Sequence, residues 1–266
     1  IAYLQKNHYL CMRNTCRRLP IERPQKNVTE KMVVLYEDNH IIAVSKTCHE
    51  IVQGDKTGDT PLSEMVKAYI KEKYQKPGEV FLGVTHRLDR PTTGVVLFAR
   101  TSKALTRLNA MFQSHEEIRK TYWAIVEKTG IGKREAKDGE EIRLENYLWR
   151  NEKQNKSFVV KPGTKDAKQA VLSYKVISQS ERYSLLEINL ETGRHHQIRC
   201  QLSAIGCPIK GDLKYGAKRS NPDGGISLHA RKIEFVHPVS KQLISITAPV
   251  PEDTLWHALE QNIQEE

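Results

Sequence analysis

The chain has 266 residues, with 42 Lys or Arg against 32 Asp or Glu, a formal net charge of +10. Hydrophobic residues make up 38%, and no apolar run approaches the roughly 18 residues of a membrane-crossing helix, which excludes a helical membrane protein. The basic residues are spread along the chain rather than held in a tail, a pattern that points to nucleic acid or an acidic membrane surface as partner.

Residues 1–30 have neither a strand nor a helix period. They carry Arg13, Arg17, Arg18 and Arg23 without an apolar block, so they read as a poorly ordered extension with no secretory signal. From Met32 the pattern changes. Two apolar runs, Val33 to Tyr36 and Ile41 to Val44, surround the turn residues Glu37-Asp38-Asn39-His40 and predict a β-hairpin. Thr60-Pro61 supplies an N-cap and a first-turn proline to a helix carrying Leu62, Met65, Val66, Tyr69 and Ile70, which Pro77-Gly78 ends. Short strands at 80–84 and 95–98 flank a polar loop, His86 to Gly94. A helix from Thr101 presents Ala104, Leu105, Leu108, Met111 and Phe112 on one face. Residues 121–127 read as a strand and 130–140 as a solvent loop. Strands follow at 158–160, 170–177 and 183–190, then a helix over 194–205 with Ile198, Leu202 and Ile205 in a stripe. Strands at 226–236 and 243–248 precede a last helix, capped by Asp253 and holding Trp256, Leu259 and Ile263. Strands outnumber helices and often follow one another directly, which indicates an α+β fold with a mainly antiparallel sheet.

Three stretches can carry chemistry. In His86-Arg87-Leu88-Asp89-Arg90-Pro91-Thr92-Thr93-Gly94, one carboxylate sits among cations on a loop. Neighbouring cations favour the ionised form, and an ionised Asp can be a nucleophile, a base or a metal ligand; an exposed Asp–Arg pair is the commoner arrangement. In Glu191-Thr192-Gly193-Arg194-His195-His196-Gln197-Ile198-Arg199, a strand turns into a helix, whose first turn favours anions. In Lys120-Thr121-Tyr122-Trp123-Ala124-Ile125-Val126, alternation puts Tyr122, Ala124 and Val126 on one strand face and Trp123 and Ile125 on the other. The five cysteines, Cys11, Cys16, Cys48, Cys200 and Cys207, are odd in number and scattered, which argues against a disulfide framework and for a reducing cytoplasm. His195, His196, Cys200 and Cys207 match no common zinc spacing, and adjacent helical histidines point about 100° apart. No phosphate-binding glycine loop occurs.

In this order the three stretches resemble the motifs of the RluA family of pseudouridine synthases, His-Arg-Leu-Asp-Arg-x-Thr-Ser/Thr-Gly, Gly-Arg-x-His-Gln-Ile-Arg and Lys-x-Tyr-x-Ala. Further matches are Tyr36-Glu37-Asp38, Gly206-Cys207-Pro208-Ile209, Gly211-Asp212, Tyr215-Gly216, Leu228-His229-Ala230 and Phe235-Val236-His237-Pro238, so the resemblance covers about residues 32–250. Three departures stand out. Gln201 replaces a frequent His, Thr47 follows Lys46 where Pro is common, and residues 1–30 are too short and too poor in apolar residues for the S4 domain many members carry.

The resemblance implies a mixed, mainly antiparallel sheet flanked by helices, with a central cleft, and residues 31–266 as the catalytic domain. It implies isomerisation of uridine to pseudouridine in a structured RNA, rRNA or tRNA, by a cytoplasmic monomer without metal or other cofactor. By resemblance Asp89 is the catalytic residue, acting as nucleophile or base. Arg199 pairs with it, Tyr122 stacks on the uracil and helps move a proton, and Arg87 fills the gap left by a flipped base. The remaining substrate-binding set is His86, Arg90, Thr93, Arg194, His196, Gln197, Ile198 and Leu202, the last two also serving the core. A non-catalytic RNA-binding module would not need Asp89, Tyr122 and Arg199 together. A metal-dependent nuclease would need several converging acidic residues.

Overall fold

The computed structural model describes residues 32–115, 117–128 and 140–264. The extension expected at 1–30 and the loop expected at 130–140, save residue 140, lie outside the described residues. Strands β1 (Val33–Glu37) and β2 (Ile41–Lys46) form the first hairpin. Asp38 closes its turn, Oδ1 accepting the N–H groups of His40 and Ile41 at 2.7 and 2.8 Å.

Helix α1 (Leu62–Lys73) begins and ends differently from the sequence expectation. Pro61 is itself the N-cap, in extended conformation, and no side chain caps the helix. The N–H groups of Leu62 and Ser63 bond instead to the carbonyls of Ile51 and Val52, so the preceding chain satisfies donors that Thr60 was expected to take. At the other end Gln75 turns left-handed, at φ 46°, and Lys76 and Gln75 donate to the carbonyls of Lys71 and Glu72. This is a Schellman stop with Gln where Gly is usual, so the helix ends before Pro77-Gly78.

Strands β3 (Gly83–Val84) and β4 (Thr93–Ala99) flank the polar loop. Thr101 caps α2 (Ser102–Ser114), accepting the Ala104 N–H. Strand β5 (Ile118–Glu127) starts three residues before the predicted 121. Strand β6 (Ile142–Asn151) was not legible in the sequence. Only Leu144 and Leu148 of it are buried, and Asn146 interrupts the apolar alternation between them. The Asn146 side chain is satisfied by Gln201, Nε2 to Oδ1 2.8 Å. The chain continues through β7 (Lys156–Val160), β8 (Lys168–Gln179), β9 (Tyr183–Leu190), α3 (Gln197–Ala204) and a 3-10 turn, Leu213–Tyr215. It closes with β10 (Leu228–Val236), β11 (Leu243–Thr247) and α4 (Thr254–Gln264), whose first N–H groups bond to Asp253 as expected.

The described strands form one mixed sheet in the order β1-β2-β4-β10-β5-β9-β8-β6-β7, with β3 beside β4 and β11 beside β10. β4 and β10 pair in parallel, and the other described pairs are antiparallel. One core packs α1 and α2 on β2, β4 and β10. A second packs α3 on β5, β8 and β9, around Ala124 and Val126. On the opposite face of β5, Trp123 and Ile125 meet Trp256 and Leu259 of α4. Tyr122 touches both of the first two cores. The parallel β4–β10 pair aligns Thr93 with His229 and Gly94 with Ala230, and β5 sets Tyr122 opposite Ala230. Gly94, at φ 114°, lies so close to β10 that a Cβ would overlap the Ala230 backbone, so no other residue fits there. The polar loop before β4 therefore ends at mid-sheet, level with Tyr122.

Candidate active site

The loop carrying Asp89 is held from below by Lys46. This side chain, at the end of β2, is 1% exposed and donates from Nζ to the carbonyls of Thr47, Arg90 and Thr92, each at 2.8 Å. Burial pulls its pKa down to about 8. A second tie runs from the Thr92 N–H to the Asp89 carbonyl at 3.0 Å, which closes the turn around Arg90-Pro91.

The other wall comes from the turn between β9 and α3. His196, the N-cap of α3, is left-handed at φ 51°, and Gln197 knots the turn. Gln197 Oε1 accepts from the Thr192 hydroxyl and the Arg194 N–H, while Nε2 donates to the Val171 carbonyl. One helical turn delivers Arg199 to Asp89, Nη1 to Oδ2 2.9 Å. Asp212 holds the same guanidinium from behind in two bonds, Nε to Oδ2 2.6 Å and Nη2 to Oδ1 2.9 Å. Burial works against the Arg199 charge, but Asp212 and then Asp89 outweigh it and raise its pKa. His196 Nε2 also lies 3.3 Å from Asp89 Oδ2. Among the described residues no donor reaches Oδ1 of Asp89. One carboxylate oxygen is thus engaged and the other free, with the side chain 30% exposed.

A cavity of about 90 Å³ opens on this carboxylate, lined by Arg87, Thr92, Tyr122, Arg194, Ile198 and Leu228 among others. Burial, and then the Asp89 carboxylate, push the Tyr122 phenol above its ordinary pKa. At neutral pH Tyr122 is therefore a proton donor rather than a base.

The sequence model of the family described as RNA pseudouridylate synthase matches residues 40–204. This chain belongs to that family. It is 34% identical over 225 residues to the uncharacterized RNA pseudouridine synthase YhcT of Bacillus subtilis, covering 83% of this chain and 69% of that one. It is 31% identical over 233 residues to ribosomal large subunit pseudouridine synthase D of Xanthomonas campestris, covering 83% of this chain and 66% of that one. Among solved structures, human RNA pseudouridylate synthase domain containing 4 superposes with TM-score 0.69 at 21% identity, covering 87% of this chain and 93% of that one. The fold likeness and the family match agree, and the chain is an RNA pseudouridine synthase.

Within this pseudouridine synthase, Arg87, Asp89, Tyr122, Arg194, His196, Gln197, Ile198 and Arg199 gather at one cavity. Four other predicted site residues are engaged elsewhere. His86 Nε2 accepts the Leu97 N–H at 3.0 Å and its ring stacks on Phe112. Burial and Lys120 lower its pKa to about 3, so it is a neutral strut of the core. Arg90 turns outward to Asp59 and Thr57, at 2.7 and 2.9 Å. The Thr93 hydroxyl meets His229 Nδ1 at 2.8 Å and ties β4 to β10. Leu202 is fully buried in the core beneath α3. The zinc candidates do not converge: His195 and His196 precede the helix rather than splay around it, and their rings stack at 3.8 Å. The Cys200 thiol meets the Ser157 carbonyl at 3.3 Å. No group of three or more metal-type ligands occurs among the described residues.

Sequence reasoning gave no role to Lys46, Asp212 or Tyr215. Asp212 and Tyr215 were visible as motif matches. Lys46 was visible as the Lys before a non-proline residue. In each case the charge or hydroxyl was legible but its partner was not.

Proposed function

We propose that the chain isomerises uridine to pseudouridine in a structured rRNA or tRNA, with Asp89 as the catalytic residue, a flipped target base and no cofactor. The C1′–N1 glycosidic bond breaks, the uracil rotates, and C5 joins C1′ while its hydrogen leaves as a proton and N1 gains one. Asp89 acts at the ribose through Oδ1, as nucleophile or base, while Arg199 and Asp212 hold Oδ2. Tyr122 flanks the uracil as a phenol. The observation that carries this reading is the half-engaged carboxylate, one oxygen clamped and one facing a recessed cavity beside Tyr122. A base stacked in a helix cannot enter such a recess, so the target nucleotide leaves its stack. Arg87, exposed at the mouth with no described partner, then takes the vacated position.

The RNA backbone is held by the basic surface. An open groove of about 820 Å³ carries Lys128, Arg182, Lys210, Lys218 and Arg219 against Glu127 and Glu181. A second, of about 640 Å³, includes Arg150, Lys168 and His195 and shares Arg194 with the Asp89 cavity. Arg231 and Lys232 are closely paired with Glu260 and Glu234, at 2.6 and 2.8 Å, whereas Lys218 is exposed and stands 3.6 Å from Glu127. Free, buried Cys48, Cys200 and Cys207 fit action in a reducing cytoplasm. RNA carrying tritium at uridine C5 tests the reaction. The wild-type chain is expected to release tritium, and Asp89→Asn to release none while still retaining RNA on a filter. Turnover by Asp89→Asn near the wild-type rate would remove Asp89 from the chemistry.

A further inference from the structure

Behind Asp89 runs a chain of polar contacts whose proton directions can be worked out. The Ser157 N–H, on β7, can only donate, and it does so to the Tyr215 hydroxyl oxygen at 2.8 Å. That hydroxyl lies 3.0 Å from His196 Nδ1, in a side chain only 4% exposed. If Nδ1 carried the proton, the Tyr215 oxygen would accept twice and its own hydrogen would be left without an acceptor. Leaving a buried hydroxyl hydrogen unpaired is costly, because the group has lost its water and gained no acceptor. The phenol therefore donates to Nδ1, and the single proton of a neutral imidazole resides on Nε2. Nε2 is the atom 3.3 Å from Asp89 Oδ2.

We propose that Tyr215 is a positioning residue whose hydroxyl fixes His196 as the Nε2–H tautomer, so that a protonated nitrogen and not a lone pair stands 3.3 Å from Asp89 Oδ2, a through-space contact rather than an aligned hydrogen bond. The opposite tautomer would set a nitrogen lone pair against a carboxylate oxygen, and the repulsion would turn Asp89 away from Arg199. The groups that face or surround His196 are Asp89, His195, Arg199 and Tyr215, with Arg150 and Lys214 farther off. Burial, together with Arg199, His195 and the other cations, takes the His196 pKa down to about 2, so the ring is neutral wherever the enzyme works. Neutrality matters, because a second full positive charge beside Arg199 would blunt the carboxylate. The inference rests on Asp89 being the reacting group, but the tautomer can be read without any reaction.

The test labels the histidines of the full chain with nitrogen-15 and identifies the His196 ring by the signal missing from His196→Gln. The wild type is expected to show Nε2 protonated and Nδ1 bare across neutral pH. Tyr215→Phe keeps the ring and removes the donor, so Nδ1–H signals should appear. At saturating RNA its kcat should fall roughly five- to tenfold with KM unchanged, as for one lost hydrogen bond. Gln reaches the position of Nε2 and keeps a protonated nitrogen beside Asp89, whereas Asn reaches only that of Nδ1. His196→Gln should therefore retain more activity than His196→Asn. A wild-type proton on Nδ1, a Tyr215→Phe enzyme with unchanged tautomer and rate, or Asn rescuing better than Gln would each overturn the proposal. Failure of Asp89→Asn to lose activity would refute the functional reading while leaving the tautomer result standing.

Discussion

Lys46→Met separates the two consequences of burying an ammonium under the Asp89 loop. Met keeps the length of the stem but removes the charge and all three donors to Thr47, Arg90 and Thr92. The gap between the ordinary lysine pKa of 10.5 and about 8 in the folded chain corresponds to roughly 3 kcal/mol of burial penalty, at about 1.4 kcal/mol per pH unit. Against this stand three carbonyls left without a donor, each costing about 1–3 kcal/mol. Near pH 7 the variant is thus expected to lie between unchanged and about 6 kcal/mol less stable. The pH dependence is sharper. The folded pKa lies below the unfolded one, so between pH 8 and 10.5 the unfolded chain holds more protons at this site and stability rises with pH. The contribution is fully present above 10.5 and lost as pH falls through about 8. The variant lacks this term, so wild-type stability should gain on it by roughly 2 kcal/mol between pH 7 and 10. Urea denaturation of both proteins at several pH values measures the difference. Parallel stability curves would refute the account of Lys46 as a buried, charged clamp.

The remaining predictions concern the site's support and the RNA. Asp212→Asn leaves the buried Arg199 with half its carboxylate partners and should cost about 3 kcal/mol, a Tm drop of roughly 6–12 °C by calorimetry. A drop below about 2 °C would show that Asp89 alone satisfies the guanidinium. Lys218→Ala/Arg219→Ala should weaken RNA binding and make the slope of log K against log salt shallower by about 1.5, with the single-turnover rate at saturating RNA unchanged. An unchanged slope would mean that this groove carries no phosphate.

Local information was enough for much of the fold. The first hairpin, the starts of α2 and α4 and the two faces of β5 follow from residue period and capping within a few positions. The gathering of Asp89, Tyr122 and Arg199 was legible only through resemblance, since Arg199 and Asp89 stand 110 positions apart. β6 stayed hidden because its buried face holds Asn146, which is acceptable only once Gln201 arrives from α3 to bond it. Where α1 begins and ends depended on the Ile51 and Val52 carbonyls and on a left-handed Gln75, neither of which has a composition signal.

His86, Arg90, Thr93 and Leu202 lie within or beside the motifs and point away from the cavity, because a motif records residue types and not the direction each side chain takes. By itself the sequence determined the family, the α+β class and the three segments that build the site, since these are written in contiguous residues. Tertiary structure decided which charges meet. Asp212 behind Arg199, Lys46 under the loop and Ser157–Tyr215–His196 behind Asp89 are pairings across distant strands, and burial and proton direction exist only after those strands have come together.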